Sequence, residues 1–148
     1  MDPIDKQLLN LIQEDLPITA KPFAEVAARL GIGEVEVLDR IGRLREKGII
    51  RRIGAVFDLR KLGFVSTLCA ARVPEEKMAA FVKTVNDCPG VTHNYRREHE
   101  YNVWFTLIAS DEEELSALLA GIKLNAGIDD ILSLRAVRTF KINARFEM

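Results

Sequence analysis

The sequence predicts an α+β protein in two parts. A winged helix-turn-helix over residues 1–60 precedes a ferredoxin-like βαββαβ domain over residues 61–148. Three observations predict this. Apolar residues recur at helical spacing three times before residue 48. After residue 63 the apolar period shortens to that of strands. Two helical stretches then alternate with those strands in the order β-α-β-β-α-β, the split βαβ pattern.

The elements follow in order. Residues 5–12 read as a short helix with Leu8, Leu11 and Ile12 on one face, and Pro17 and Pro22 bracket a loop. Phe23, Val26, Ala27 and Leu30 form a second helical stripe that Gly31 stops. Residues 34–47 read as a third helix with Val37, Leu38, Ile41 and Leu44 buried, ended by Gly48. Ile49-Ile50-Arg51-Arg52-Ile53 and Ala55-Val56-Phe57 then read as the two strands of a wing. Arg60-Lys61-Leu62-Gly63 reads as a hinge. Beyond it, residues 64–73 are β-rich and residues 75–87 helical, with Met78, Phe81, Val82 and Val85 apolar. Residues 91–97 and 101–109 read as strands around a charged turn, 98–100. Asp111-Glu112-Glu113-Glu114 opens a helix where acids favour the N-terminal dipole. Its stripe is Leu115, Leu118, Leu119 and Ile122, and Gly127 ends it. Residues 131–144 hold a last strand with Leu132, Leu134, Val137, Phe140 and Ile142.

Composition removes several classes. Hydrophobic residues make up 48% and the net charge is -1, which excludes a disordered chain and any global pull towards DNA or anionic lipid. No apolar run reaches the ~18 residues of a membrane span. The start, Met1-Asp2-Pro3-Ile4-Asp5, has acids where a secretory signal needs basic residues, so a cytoplasmic protein is expected. Cys69 and Cys88 match no zinc spacing and read as reduced thiols. Cys88-Pro89 is a dipeptide able to ligate haem iron, but Pro89-Gly90 reads first as a turn before a strand.

A winged helix invites a DNA-binding reading, and the charges oppose it. Residues 1–60 hold ten basic and ten acidic residues. The third helix, whose start reads base edges in such domains, opens with Glu34, Glu36 and Asp39. Carboxylates there are repelled by phosphate. Arg40, Arg43, Arg45 and Lys47 come only later, and Arg51-Arg52 on the wing are open to three roles: gripping phosphates, gripping a substrate's carboxylates, or plain solvation.

The second part carries one unusual stretch: Val91-Thr92-His93-Asn94-Tyr95-Arg96-Arg97-Glu98-His99-Glu100-Tyr101-Asn102-Val103-Trp104-Phe105. Both histidines, both tyrosines and the sole tryptophan are in it. Strand alternation puts His93, Tyr95 and Arg97 on one face and Asn94 and Arg96 on the other. Asn102, Trp104 and Thr106 alternate with Tyr101, Val103 and Phe105, and His99 sits in the turn. Histidines supply acid/base groups or metal ligands, arginines forked donors for carboxylates, and Tyr and Trp flat amphipathic walls. The set suits a large, planar, multiply carboxylated ligand. A ferredoxin-like sheet covers one face with its own helices and needs a partner on the other.

The whole chain resembles the Lrp/AsnC family. Gly48-Ile49-Ile50-Arg51-Arg52-Ile53-Gly54-Ala55-Val56-Phe57, Lys61-Leu62-Gly63-Phe64 and the run from Val91 to Leu107 resemble its sirohaem decarboxylase branch. The resemblance implies a carboxy-lyase that converts sirohaem to 12,18-didecarboxysirohaem in alternative haem or haem d1 synthesis. It also implies a heterodimer of related subunits, in which this chain looks most like the subunit called A and a paralogous B-type subunit is its partner. DNA and membranes are not expected as partners. On this reading His93 is the general acid. His99 is a second candidate, as acid or as axial ligand of the substrate iron, with no other metal site. Arg96 and Arg97 clamp carboxylates, Arg97 being favoured as the one on His93's face. Tyr95, Asn102, Trp104, Arg51 and Arg52 complete the expected binding set. No cofactor is expected beyond the iron tetrapyrrole substrate. Two other readings keep the fold and change the job: an Lrp/AsnC-type transcription regulator, or a haem-sensing protein.

Overall fold

In a computed structural model, residues 1–141 and 146–148 are described. The chain divides into two compact units, Met1–Ala55 with Lys141–Met148, and Val56–Phe140. The expected final strand residues Ile142 and Ala144 lie outside the described residues.

The first unit holds three helices, α1 (Pro3–Glu14), α2 (Pro22–Leu30) and α3 (Glu34–Glu46). α1 begins earlier than its apolar stripe suggests because Asp2 and Asp5 form a reciprocal cap. Asp5 N–H donates to Asp2 Oδ1 at 2.8 Å, and Asp2 N–H donates to Asp5 Oδ2 at 3.1 Å. α2 closes on Gly31, whose φ of 67° is the left-handed conformation that glycine adopts without strain. The core is Leu8, Val26, Val37, Ile41, Leu44 and their neighbours. The C-terminal residues return to α1. Gln13 Nε2–H donates to Phe146 O at 2.7 Å, and Phe146 N–H donates to Gln13 Oε1 at 3.1 Å.

The helix-turn-helix is present, but the two wing strands expected at 49–53 and 55–57 are not formed. Ile49 and Ile50 instead donate their N–H groups to Leu44 O at 2.9 and 3.1 Å, closing the end of α3. Ile50 is buried in the helical core, while Ile53, Val56 and Phe57 are exposed. A two-stranded ribbon with no third strand and no buried face is marginal, and the α3 closure takes its first donors.

The second unit follows the expected order: β1 (Val65–Ala71), a 3-10 turn Glu75–Lys77, α4 (Met78–Asp87), β2 (Val91–Arg96), β3 (Val103–Ala109), α5 (Glu112–Ala126) and β4 (Ile131–Leu134). The sheet runs β2-β3-β1-β4, every neighbour antiparallel. One face packs under α4 and α5. Cys69, Val103, Phe105 and Leu107 meet Phe81, Val85, Leu115 and Ile122 there, with Phe81 and Phe105 edge-to-face at 6.2 Å. Asp111 caps α5, accepting Glu114 N–H at 2.8 Å. β4 stops at Leu134, short of Val137 and Phe140, which are exposed and outside any strand. The ladder ends where Arg135 pairs with Glu112 at the start of α5. Cys88 packs against the core and Pro89-Gly90 makes the expected turn, Val91 N–H donating to Cys88 O at 3.0 Å.

Candidate functional site

The β2–β3 register decides which side chains meet. His93 faces Thr106, Tyr95 faces Trp104, Asn94 faces Phe105 and Arg96 faces Val103. Phe105 and Val103 point into the core, so Asn94 and Arg96 lie on the helix side. His93, Tyr95, Thr106 and Trp104 lie on the other face, beside Leu68 and Leu134 on β1 and β4. The alternation read from the sequence therefore holds.

On that open face the rings are ordered. His93 and Tyr95 stack with centroids 6.1 Å apart and planes 24° from parallel. Trp104 Nε1–H donates to Tyr101 O at 2.7 Å, which satisfies the indole donor and fixes its plane. The Arg97 guanidinium sits 5.7 Å from the Trp104 ring centroid, a cation–π contact. Arg97 is joined to the residue preceding β3 through its backbone, N–H to Asn102 O at 2.8 Å. One face thus carries an imidazole, a phenol, an indole and a guanidinium, and among the described residues no carboxylate pairs with the last.

The other expected residues are held elsewhere. Arg96 makes a two-pronged pair with Glu75 at 3.2 and 2.7 Å on the helix side, so its fork is already filled. Asn102 accepts Val73 N–H at 2.9 Å and donates to Val73 O at 2.8 Å, tying the hairpin to the end of β1. Arg51 and Arg52 are exposed in an irregular segment of the first unit. His99 Nδ1 accepts Tyr101 N–H at 3.1 Å. Its neutral ring then carries the proton on Nε2, and ligating iron through Nε2 requires that arrangement to break.

Two residues escaped the sequence reading. Arg72 pairs with Glu100 at 3.0 Å and Asp130 at 3.2 Å, and its guanidinium lies 5.2 Å from the Tyr101 ring centroid. Tyr101 Oη–H donates to Asp130 Oδ1 at 3.1 Å, and this carboxylate partner raises the phenol above its ordinary range. Neither Arg72 nor Asp130 carries a local sequence signal, since the sheet alone brings them together. Cys69 is fully buried, and burial pushes its thiol up to about 11, so it is an inert core group. Among the described residues no cluster of three or more His, Cys, Asp or Glu is able to hold a metal ion.

Comparison with known proteins matches both units. Residues 61–141 match the AsnC-like ligand binding domain, and residues 5–51 match the Siroheme decarboxylase NirDL-like HTH domain. The chain is 55% identical to the "Siroheme decarboxylase alpha subunit" of Desulfovibrio desulfuricans over 148 residues, covering 100% of this chain and 85% of that one. It is similar to the crystal structure of "the siroheme decarboxylase NirDL in co-complex with iron-uroporphyrin III analogue", with TM-score 0.71 and 37% identity, over 98% of this chain and 48% of that one. It therefore spans about half the length of the NirDL chain. An AsnC family transcriptional regulator from Agrobacterium tumefaciens shares the fold alone, with TM-score 0.80 and 24% identity over 99% of this chain and 96% of that chain.

Proposed function

The chain belongs to the siroheme decarboxylase family of AsnC-like proteins, and from that premise we propose that it is a carboxy-lyase subunit acting on sirohaem. It removes CO2 from the C12 and C18 acetate side chains to give 12,18-didecarboxysirohaem, for haem or haem d1 synthesis in the cytoplasm. Each acetate loses one CO2 and takes up one proton on the carbon left behind, becoming a methyl group. The observation that carries this reading is the open face on which His93, Tyr95, Trp104 and Arg97 are set together.

His93 is the proton donor: its ring is steered by Tyr95 and its Nε2 has no hydrogen-bond partner among the described residues. Such positioned acid catalysis contributes typically ~10²–10⁴-fold. Tyr95 and Trp104 form a wall for a flat macrocycle. Arg97 binds a carboxylate, a role the Glu75 pair withholds from Arg96. His99, with Nε2–H outward, donates to a second carboxylate. The macrocycle is substrate and electron sink together, so no further cofactor takes part. The relative's designation as an alpha subunit supports a heterodimer with a paralogous B-type chain. Anaerobic incubation with sirohaem, alone and with that chain, tests the reading by mass spectrometry. Loss of one or two CO2 supports it, and intact sirohaem in both incubations refutes it.

A further inference from the structure

β2 is not a regular strand. Its ladder passes from Val91↔Leu107 to His93↔Thr106, so two steps on β2 match one on β3. Thr92 is the extra residue of a β-bulge, a device that bends a strand and re-aims a side chain. The bulge starts from a fixed point. Ile108 N–H donates to Gly90 O at 2.8 Å, and a Cβ at residue 90 would stand 2.5 Å from Ile108 O. Only glycine admits that approach. In a regular strand Thr92 and His93 would point to opposite faces. Here Thr92 Oγ1 lies 3.0 Å from His93 Nδ1.

We infer that Thr92 is a positioning residue for His93: its hydroxyl oxygen accepts Nδ1–H and keeps Nε2 as the atom that gives and recovers the proton. This rests on the decarboxylase reading, in which His93 is the acid. An imidazole that releases a proton from Nε2 is neutral afterwards, with its remaining proton on Nδ1. It takes a proton back at Nε2 only if that arrangement persists. With the Thr92 hydroxyl oxygen accepting at Nδ1, as it must while the ring is an imidazolium, that arrangement persists. Without the hydroxyl, the neutral ring is free to move its proton to Nε2, where a lone pair is needed. The bulge is therefore the backbone device, and the hydroxyl the chemical one, that prepare a single nitrogen for turnover.

The chain has two histidines, so 15N-histidine labelling of the full-length chain gives two imidazoles, and His99→Gln identifies His93. Neutral His93 is expected to show the Nδ1–H form. Thr92→Val should move it towards Nε2–H, and Thr92→Ser should keep it. With sirohaem, Thr92→Val should lower kcat by up to roughly a hundredfold with KM unchanged, and Thr92→Ser should restore kcat. The same nitrogen shifts in Thr92→Val as in the parent chain overturn the inference, whatever the turnover. Failure of the parent chain and its partner to release CO2 overturns the decarboxylase reading instead, while the nitrogen shifts still decide what Thr92 does.

Discussion

Asn102 uses both ends of its amide on the backbone of Val73, at 2.8 and 2.9 Å, whereas His93 Nε2 has no hydrogen-bond partner among the described residues. The contrast separates a polar group filled by the fold from one left open to a ligand. Asn102→Ala leaves the N–H and C=O of buried Val73 without this partner. At about 1 kcal/mol net per hydrogen bond, the second unit should lose about 2 kcal/mol in denaturant unfolding. No loss would show that the amide is free for a ligand. His93→Ala removes only an exposed ring, so the fold and sirohaem binding should stay while turnover disappears. Binding is read from the bound-substrate absorbance and turnover by mass spectrometry. CO2 release at the parent rate would remove His93 from the chemistry.

Arg40 decides the character of α3. It is 9% exposed, turned inward, and paired with Asp2 at 2.6 Å, Asp5 at 2.8 Å and Glu36 at 2.8 Å. A cation that the helix-turn-helix pattern offers to phosphate is instead bound to the N-terminus of α1. The exposed start of the helix keeps Glu34 and Asp39. Hydrogen bonds from Arg40 hold the Asp2 and Asp5 carboxyls below the ordinary Asp value of 3.8. A carboxylate with a lowered folded value stabilises fully above its unfolded value, and that stability is lost as pH falls through the folded one. The first unit should therefore keep its stability down to about pH 4 and lose it below. Arg40→Met should lower the melting temperature at neutral pH and flatten the acid limb, as followed by circular dichroism. An equally steep acid limb in the variant would place the acid-sensitive groups elsewhere.

The sheet of the second unit buries one face under its own helices and leaves the other open. Leu68, Leu132 and Leu134 are each 40–43% exposed, in line with the rings of the candidate site. The occupant expected on this face is the paired subunit, which would complete the wall around a flat ligand. A buried leucine contributes ~1.5–3 kcal/mol, so Leu134→Glu should weaken the pair at least roughly tenfold while the chain stays folded. Sedimentation of the mixed subunits reads this directly. Unaltered association would move the interface off the sheet. No described helix is long and apolar enough to cross a membrane.

Helix periods, strand alternation and the punctuation by Gly31, Gly127 and Pro89-Gly90 were legible along the chain, because each depends on neighbours within a few residues. So was the shared face of His93 and Tyr95, since a strand fixes it with period two, whereas Trp104 joins them through the β2–β3 register. Family membership was legible for a related reason, because the motif from Val91 to Leu107 is contiguous. Other features needed distant parts of the chain to meet. The wing strands failed because Leu44 took the donors of Ile49 and Ile50. Arg96, on the helix side by alternation, had its fork filled by Glu75, and Asn102 was bound to Val73 across the sheet. Arg40 was drawn inward by acids 35 and 38 positions away. The bulge that sets Thr92 beside His93 starts where Gly90 meets Ile108 on β3. Local periodicity selects the elements and their faces, whereas free hydrogen-bonding capacity is settled by partners that only folding supplies.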